Sequence, residues 1–164
     1  MNHLKHLLVK RGPTAFLQFA ITIIGLAAVA VLLWEPQIEG RNANATFFEI
    51  YFKDPFLALV YVGSIPFFVA LYQTFKIFGL AGQDKIFSKE VIKSFRMIKY
   101  SALTIICFVA VAEIIIFLTH GNDDPAGGYF MGLIITFGSL IVAAAATMVE
   151  RIIQDAAVGL SSNH

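Results

Sequence analysis

The chain reads as an all-α polytopic membrane protein, a bundle of four transmembrane helices with the third and fourth extended into the cytoplasm. Three observations predict this. Four apolar stretches, at about 14–34, 56–78, 101–119 and 127–149, are each close to the ~20 helical residues that cross a hydrocarbon core ~30 Å thick. Of the 164 residues, 58% are apolar and only 14% charged, against about 25% charged in a soluble domain, so lipid must cover part of the surface. The cations also fall on alternate connections, although the net charge is only +1.

Lys5, Lys10 and Arg11 precede the first stretch, and Arg41 and Lys53 follow it. Lys76, Lys85, Lys89, Lys93, Arg96 and Lys99 crowd the middle connection, none lies between the third and fourth stretches, and Arg151 follows the fourth. Ten cations thus share one side of the membrane and two the other. The positive-inside rule then places both termini and the loop 79–100 in the cytoplasm. The whole chain, 1–164, is used by one four-helix domain. The basic start with an apolar run resembles a secretory signal, but the run is too long and no small-x-small site precedes Trp34 and Glu35, which predicts a retained first helix.

The first helix is expected from Pro13 to Trp34, with the Trp34 indole at the outer interface. Beyond it Phe47, Phe48, Tyr51 and Phe52 surround Glu49, a composition suited either to the membrane surface or to a loop folded onto the bundle. Asn44-Ala45-Thr46 fits a glycosylation sequon that matters only in a eukaryotic secretory route. The second helix starts at Pro55, capped by Asp54, because a proline at the first turn loses no hydrogen bond. Pro66 should kink it within the membrane, and Gly79 and Gly82 should end it. Ser88 caps the third helix, which from Lys89 to Thr119 would measure roughly 46 Å and so project beyond the core. The fourth runs past Val149 into Glu150, Arg151 and Asp155.

The tight turn 120–126 makes the last two helices antiparallel neighbours. Counting from it sets Arg96 level with Glu150 and Lys93 level with Ile153, so opposite charges meet in the extension and fix the register, as a surface pair worth ~0–1 kcal/mol. Gly128 and Gly132, then Ser139, Ala143 and Thr147, repeat at intervals that put small residues on one face, a surface on which another helix can approach closely. That face fits either helices of the same chain or a second copy in a homo-oligomer. Cys107, the only cysteine, lies inside the third stretch and excludes an internal disulfide; it is expected to be a small buried residue.

Glu113 is the ionisable residue well inside a span, which makes it a functional candidate. Its depth is about 9 Å below the outer end of its helix, and counting places Tyr61, Ser64 and Thr136 near it. It serves either as a proton or cation site or as a structural hydrogen-bonding group. Gln18, Tyr72, Gln73 and Thr104 fall at similar depths of three helices, as interhelical hydrogen-bonding glue or as a permeation path. Lys85, Lys89, Lys93, Arg96 and Lys99 form a basic surface suited to anionic lipid at about 1 kcal/mol per cation, to topology setting or to a protein partner. No nucleophile with a base, no glycine-rich phosphate loop and no histidine cluster is present. The expectation is therefore a protein without catalytic chemistry, metal or other cofactor, whose first partner is the lipid bilayer and which does not bind nucleic acid directly.

Three stretches carry a family resemblance. They are Lys10-Arg11-Gly12, then Ile65-Pro66-Phe67-Phe68-Val69-Ala70-Leu71-Tyr72-Gln73 through Phe87-Ser88 and Ile98-Lys99-Tyr100, and finally Asp123-Asp124-Pro125. In order and spacing they resemble the YoaS-like family of small bacterial four-helix membrane proteins, a domain of unknown function. The resemblance implies a bacterial inner-membrane protein whose relatives are often encoded beside a small helix-turn-helix transcription regulator, and it assigns no catalytic residue. Relatives commonly finish with an acidic polar tail, whereas this chain ends Val158-Gly159-Leu160-Ser161-Ser162-Asn163-His164. The leading functional expectation is a membrane sensor or anchor for a cytoplasmic regulator. The alternative is a small proton-linked transporter or exporter using Glu113.

Overall fold

The computed structural model describes residues 2–38, 46, 48–49, 55–119 and 125–162. Four helices account for nearly all of them: α1 (Asn2–Ile38), α2 (Pro55–Ala81), α3 (Lys89–Thr119) and α4 (Ala126–Ser162). Each contains a segment long and apolar enough to cross a membrane. At 1.5 Å per residue α2 measures about 40 Å, α3 about 46 Å, and α1 and α4 about 55 Å. The last three therefore exceed a ~30 Å core by several turns.

The helix ends follow local chemistry. Helix α2 begins at Pro55, as the fixed proline φ favours. Ser88 starts α3: its Oγ accepts from the Val91 amide at 3.4 Å and its carbonyl from Val91 and Ile92 at 3.1 and 3.3 Å. Two ends differ from expectation. Helix α1 starts at Asn2, not Pro13, and carries Pro13 and Pro36 within it; a proline deletes one backbone bond, a loss that helices of membrane proteins absorb by local adjustment. Helix α2 is not terminated by Gly79 or Gly82. The Lys85 amide donates to Leu80 O at 3.0 Å and the Asp84 amide to Ala81 O at 3.1 Å, the two bonds of a Schellman cap. Asp84, at φ 60°, takes the left-handed position that glycine usually fills, which short Asp side chains tolerate.

Gly79 and Gly82 instead let α1 come close. A Cβ at Gly79 would lie 3.0 Å from the Gln18 Nε2, and one at Gly82 2.8 Å from the Thr14 Oγ1. Similarly, Gly63 of α2 lies under the Phe108 ring of α3, where a Cβ would meet Cγ at 3.2 Å. The helices pack chiefly in chain order, most extensively α3 with α4, then α2 with α3, and least α1 with α2. Helices α1 and α4 therefore form the edges.

Burial reflects lipid as solvent. The accessible surface is 11542 Å², where a compact soluble chain of this mass exposes about 8,000 Å². Most large apolar side chains of the spans point outward, among them Phe16, Phe19, Phe117 and Phe137. Cys107 is exposed too, which corrects the expectation of a buried thiol: α3 buries Val91, Ser94, Ile98, Ser101 and Ala102, and position 107 falls on the opposite side of that stripe. The best-packed apolar cluster sits at the end carrying the loop cations, here the basic end, where Leu80, Val91 and Ile153 meet with Ile77, Phe95 and Val149 around them.

On the connection between α1 and α2, Glu49 Oε2 accepts from the Thr46 amide at 3.1 Å and from its hydroxyl at 2.9 Å, while the Glu49 amide donates back to Thr46 Oγ1 at 3.4 Å. This reciprocal Thr-x-x-Glu exchange is a helix-starting box. Phe47, Tyr51 and Phe52, the cap Asp54, the sequon Asn44 and the turn 120–124 lie outside the described residues.

Candidate functional site

At the basic end, α3 and α4 are tied by one carboxylate. Glu150, 5% exposed, accepts from Arg96 Nε at 2.8 Å, from Lys99 Nζ at 3.0 Å and from Gln154 Nε2 at 3.3 Å. The level of Arg96 with Glu150 is as counted from the sequence, but the pair is not a surface pair. A buried carboxylate costs several kcal/mol of lost hydration unless cations and donors replace the water, and here three groups do so. Counting 1.5 Å per residue from Ala126, Glu150 lies about 36 Å along α4, past a ~30 Å core. Burial acts to raise its pKa, but the hydrogen bonds and charges of Lys99 and Arg96 outweigh it and hold the carboxyl below its ordinary range.

The expected basic surface divides in two. Lys99 turns toward Glu150, with its Nζ also 5.3 Å from the Tyr100 ring centroid. Lys89, Lys93 and Arg96 line a groove of about 390 Å³ on α3 together with Ile92, Met97 and Tyr100. Lys85 lies exposed in the turn before α3. Arg96 serves both sides, since only its Nε meets Glu150 and its side chain remains 51% exposed.

Within the membrane the polar residues are more dispersed than counting suggested. Gln18 Nε2 donates to Phe75 O at 3.2 Å and Tyr61 OH to Leu32 O at 3.0 Å, so both tie α1 to α2. Ser64 and Thr104 donate to their own helices, at Tyr61 O and Tyr100 O. Tyr72 points outward, 64% exposed, and Gln73 is half-buried. No shared layer of Gln18, Tyr72, Gln73 and Thr104 is formed. Glu113 is half-buried on α3 and its carboxylate lies directly against Gly132 of α4, where any Cβ would overlap it. Among the described residues it accepts no hydrogen bond. Gly128 likewise receives Ile116, whose Cδ1 would stand 2.9 Å from a Cβ there. Ser139 and Ala143 are buried against the same seam, so the small-residue face, Gly128 included, is turned toward α3 of the same chain.

With this geometry in place, the family can be assigned. Residues 42–161 match the family described as "Protein of unknown function (DUF2975)". The chain belongs to this family. The DUF2975 match takes in α2, α3 and nearly all of α4 and leaves the whole of α1 outside it. The chain is also similar to the "Uncharacterized membrane protein YoaS" of Bacillus subtilis (strain 168), 31% identical over 149 residues that cover 90% of this chain and 93% of that protein. The YoaS-like resemblance read from the sequence is thus shown, and this DUF2975 member is a membrane protein with four helices able to span the bilayer. No solved structure matches it. Two features escaped the sequence reading. Lys99 as a second partner of Glu150 follows from adding one helical turn to Arg96, and the Thr46–Glu49 box was legible as Thr-x-x-Glu.

Replacing Glu150 with Ala should lower the stability of the detergent-solubilised protein by about 1–3 kcal/mol, the range for charged hydrogen bonds. The linkage has a definite sign. A carboxyl whose folded pKa is lowered contributes stability that is complete above its unfolded value of about 4 and is lost as pH falls through the folded value. The difference between wild type and Glu150→Gln in thermal unfolding should therefore shrink on acidification below about pH 4. A constant difference would contradict the assignment.

Proposed function

We propose that this protein is a non-catalytic anchor in a bacterial inner membrane, with its basic end and both termini in the cytoplasm, and that the part of α4 beyond the lipid holds a cytoplasmic protein. The ten-to-two distribution of Lys and Arg supports the orientation. One observation carries the docking role: Val158 is 68% exposed at about 48 Å along α4, past hydrocarbon and headgroups, and Ile152, 55% exposed at about 39 Å, stands at the outer edge of the headgroup layer. Apolar side chains exposed near and beyond the membrane edge, on a helix backed by the Glu150 clamp and the Leu80–Val91–Ile153 cluster, suit contact with an apolar protein surface. A small helix-turn-helix regulator is the partner that the family resemblance implies.

A second reading rests on Glu113. A carboxylate inside the span, seated on Gly132 with no hydrogen bond among the described residues, suits a proton-carrying group in a transporter.

Photocrosslinkers placed at 152 and 158 in living cells should give an adduct of one mass with a cytoplasmic protein, abolished by changing the other apolar position to Asp. Crosslinking to lipid alone at both positions would contradict the anchor. The transport reading expects a proton flux in vesicles under an imposed pH gradient that disappears with Glu113→Gln. Equal flux from the two proteins would remove Glu113 from any such mechanism.

A further inference from the structure

The α3 groove combines three cations with apolar groups and no acidic residue, whereas the groove on α4 is lined by both Arg151 and Asp155. Measured back from Thr119 at 1.5 Å per residue, Tyr100 lies at about 28 Å, Arg96 at about 35 Å, Lys93 at about 39 Å and Lys89 at about 45 Å. A hydrocarbon core of ~30 Å with polar layers of several ångströms on each side puts Tyr100 at the hydrocarbon edge, Arg96 among the headgroups and Lys93 at their outer edge, within reach of its flexible side chain. Lys89 stands just beyond.

The lining residues match that profile. Ile92, Met97 and Tyr100 give the groove an apolar floor, and no acidic residue lines it. Lys89 and Lys93 are exposed and form no ion pair among the described residues. Arg96 is the best-placed cation, because Glu150 engages its Nε and orients the guanidinium. Its two terminal amino groups make no hydrogen bond among the described residues. A guanidinium held in this way presents a planar fork suited to two oxygens of one phosphate. Glu150 is already matched by Lys99 and Arg96, so the groove keeps a positive balance.

We propose that this groove is a binding site for one anionic phospholipid. The headgroup phosphate lies on Arg96 and Lys93, Lys89 attracts the remaining headgroup charge, and the glycerol and upper acyl chain rest on Tyr100, Met97 and Ile92. A soluble phosphate ester offers the same anion but nothing for the apolar floor, which favours the lipid. The site is separate from the exposed face of α4 and does not depend on the anchor reading.

Native mass spectrometry of the full chain in mild detergent, titrated with phosphatidylglycerol or phosphatidylcholine, tests the proposal. The wild type should retain phosphatidylglycerol preferentially. The double variant Lys89→Gln with Lys93→Gln should weaken that retention by about thirtyfold, as two interfacial cations imply, and Lys89→Arg with Lys93→Arg should restore it. Lys85→Gln, outside the groove, should leave it unchanged. Equal retention of the two lipids by the wild type would overturn the proposal, as would displacement of bound lipid by millimolar glycerol phosphate. If the Gln variant kept its lipid preference but lost a protein crosslink at the groove, the face would belong to a protein partner and the lipid site would be refuted.

Discussion

The close approach of α3 and α4 is the constraint on which the other contacts rest. In lipid no hydrophobic drive holds helices together, so association depends on backbones coming near enough for dense contact. Ser94, Ser101 and Ala102 on α3 and Gly132, Ser139, Ala143 and Ala146 on α4 are small enough to allow it, and all are buried. Each end of this seam carries a carboxylate, Glu113 seated on Gly132 and Glu150 held by Arg96 and Lys99. The second is the specific one, because a buried anion tolerates only the register that brings its cations to it. Helix α2 then packs on α3 through Gly63 and the Leu80–Val91–Ile153 cluster. Helix α1 packs on α2 through Gly79, Gly82 and two hydrogen bonds to backbone carbonyls.

Much of this was legible in the sequence, and the limit has a physical cause. Four apolar stretches declare four rods, since helix length and bilayer thickness are both fixed by geometry. Ser88, Pro55 and the level of Arg96 with Glu150 follow from local rules of the same kind. Azimuth was not legible: hydrophobicity does not distinguish a lipid-facing side from a helix-facing side, so Cys107 reads as buried and Tyr72 as part of an inner layer. Depth counting brought Tyr61 near Glu113, yet its hydroxyl reaches Leu32 O of α1, because vertical level says nothing about which neighbour a side chain meets. The glycines show the same limit. Gly79 and Gly82 look like terminators and act as spaces for Gln18 and Thr14, while Asp84 takes the terminating conformation.

The architecture divides the molecule by solvent. The spans turn large apolar side chains to lipid and keep small residues inside, the reverse of a soluble core. The basic end is built like a soluble protein, with a compact apolar cluster and a satisfied buried charge. At that end α3 presents the cations Lys89, Lys93 and Arg96, while α4 continues farther and exposes Val158.

The central claim is that α3 and α4 are antiparallel neighbours in the register set by Arg96 with Glu150. It is tested most directly by oxidative crosslinking in native membranes, in a background with Cys107→Ser. The pair Ser101→Cys with Ala146→Cys should form an intramolecular disulfide in a chain that migrates as a monomer, whereas Ser101→Cys with Ser139→Cys, about 10 Å off register, should not. Preferential linkage of the offset pair, or linkage only between separate chains, would contradict the account.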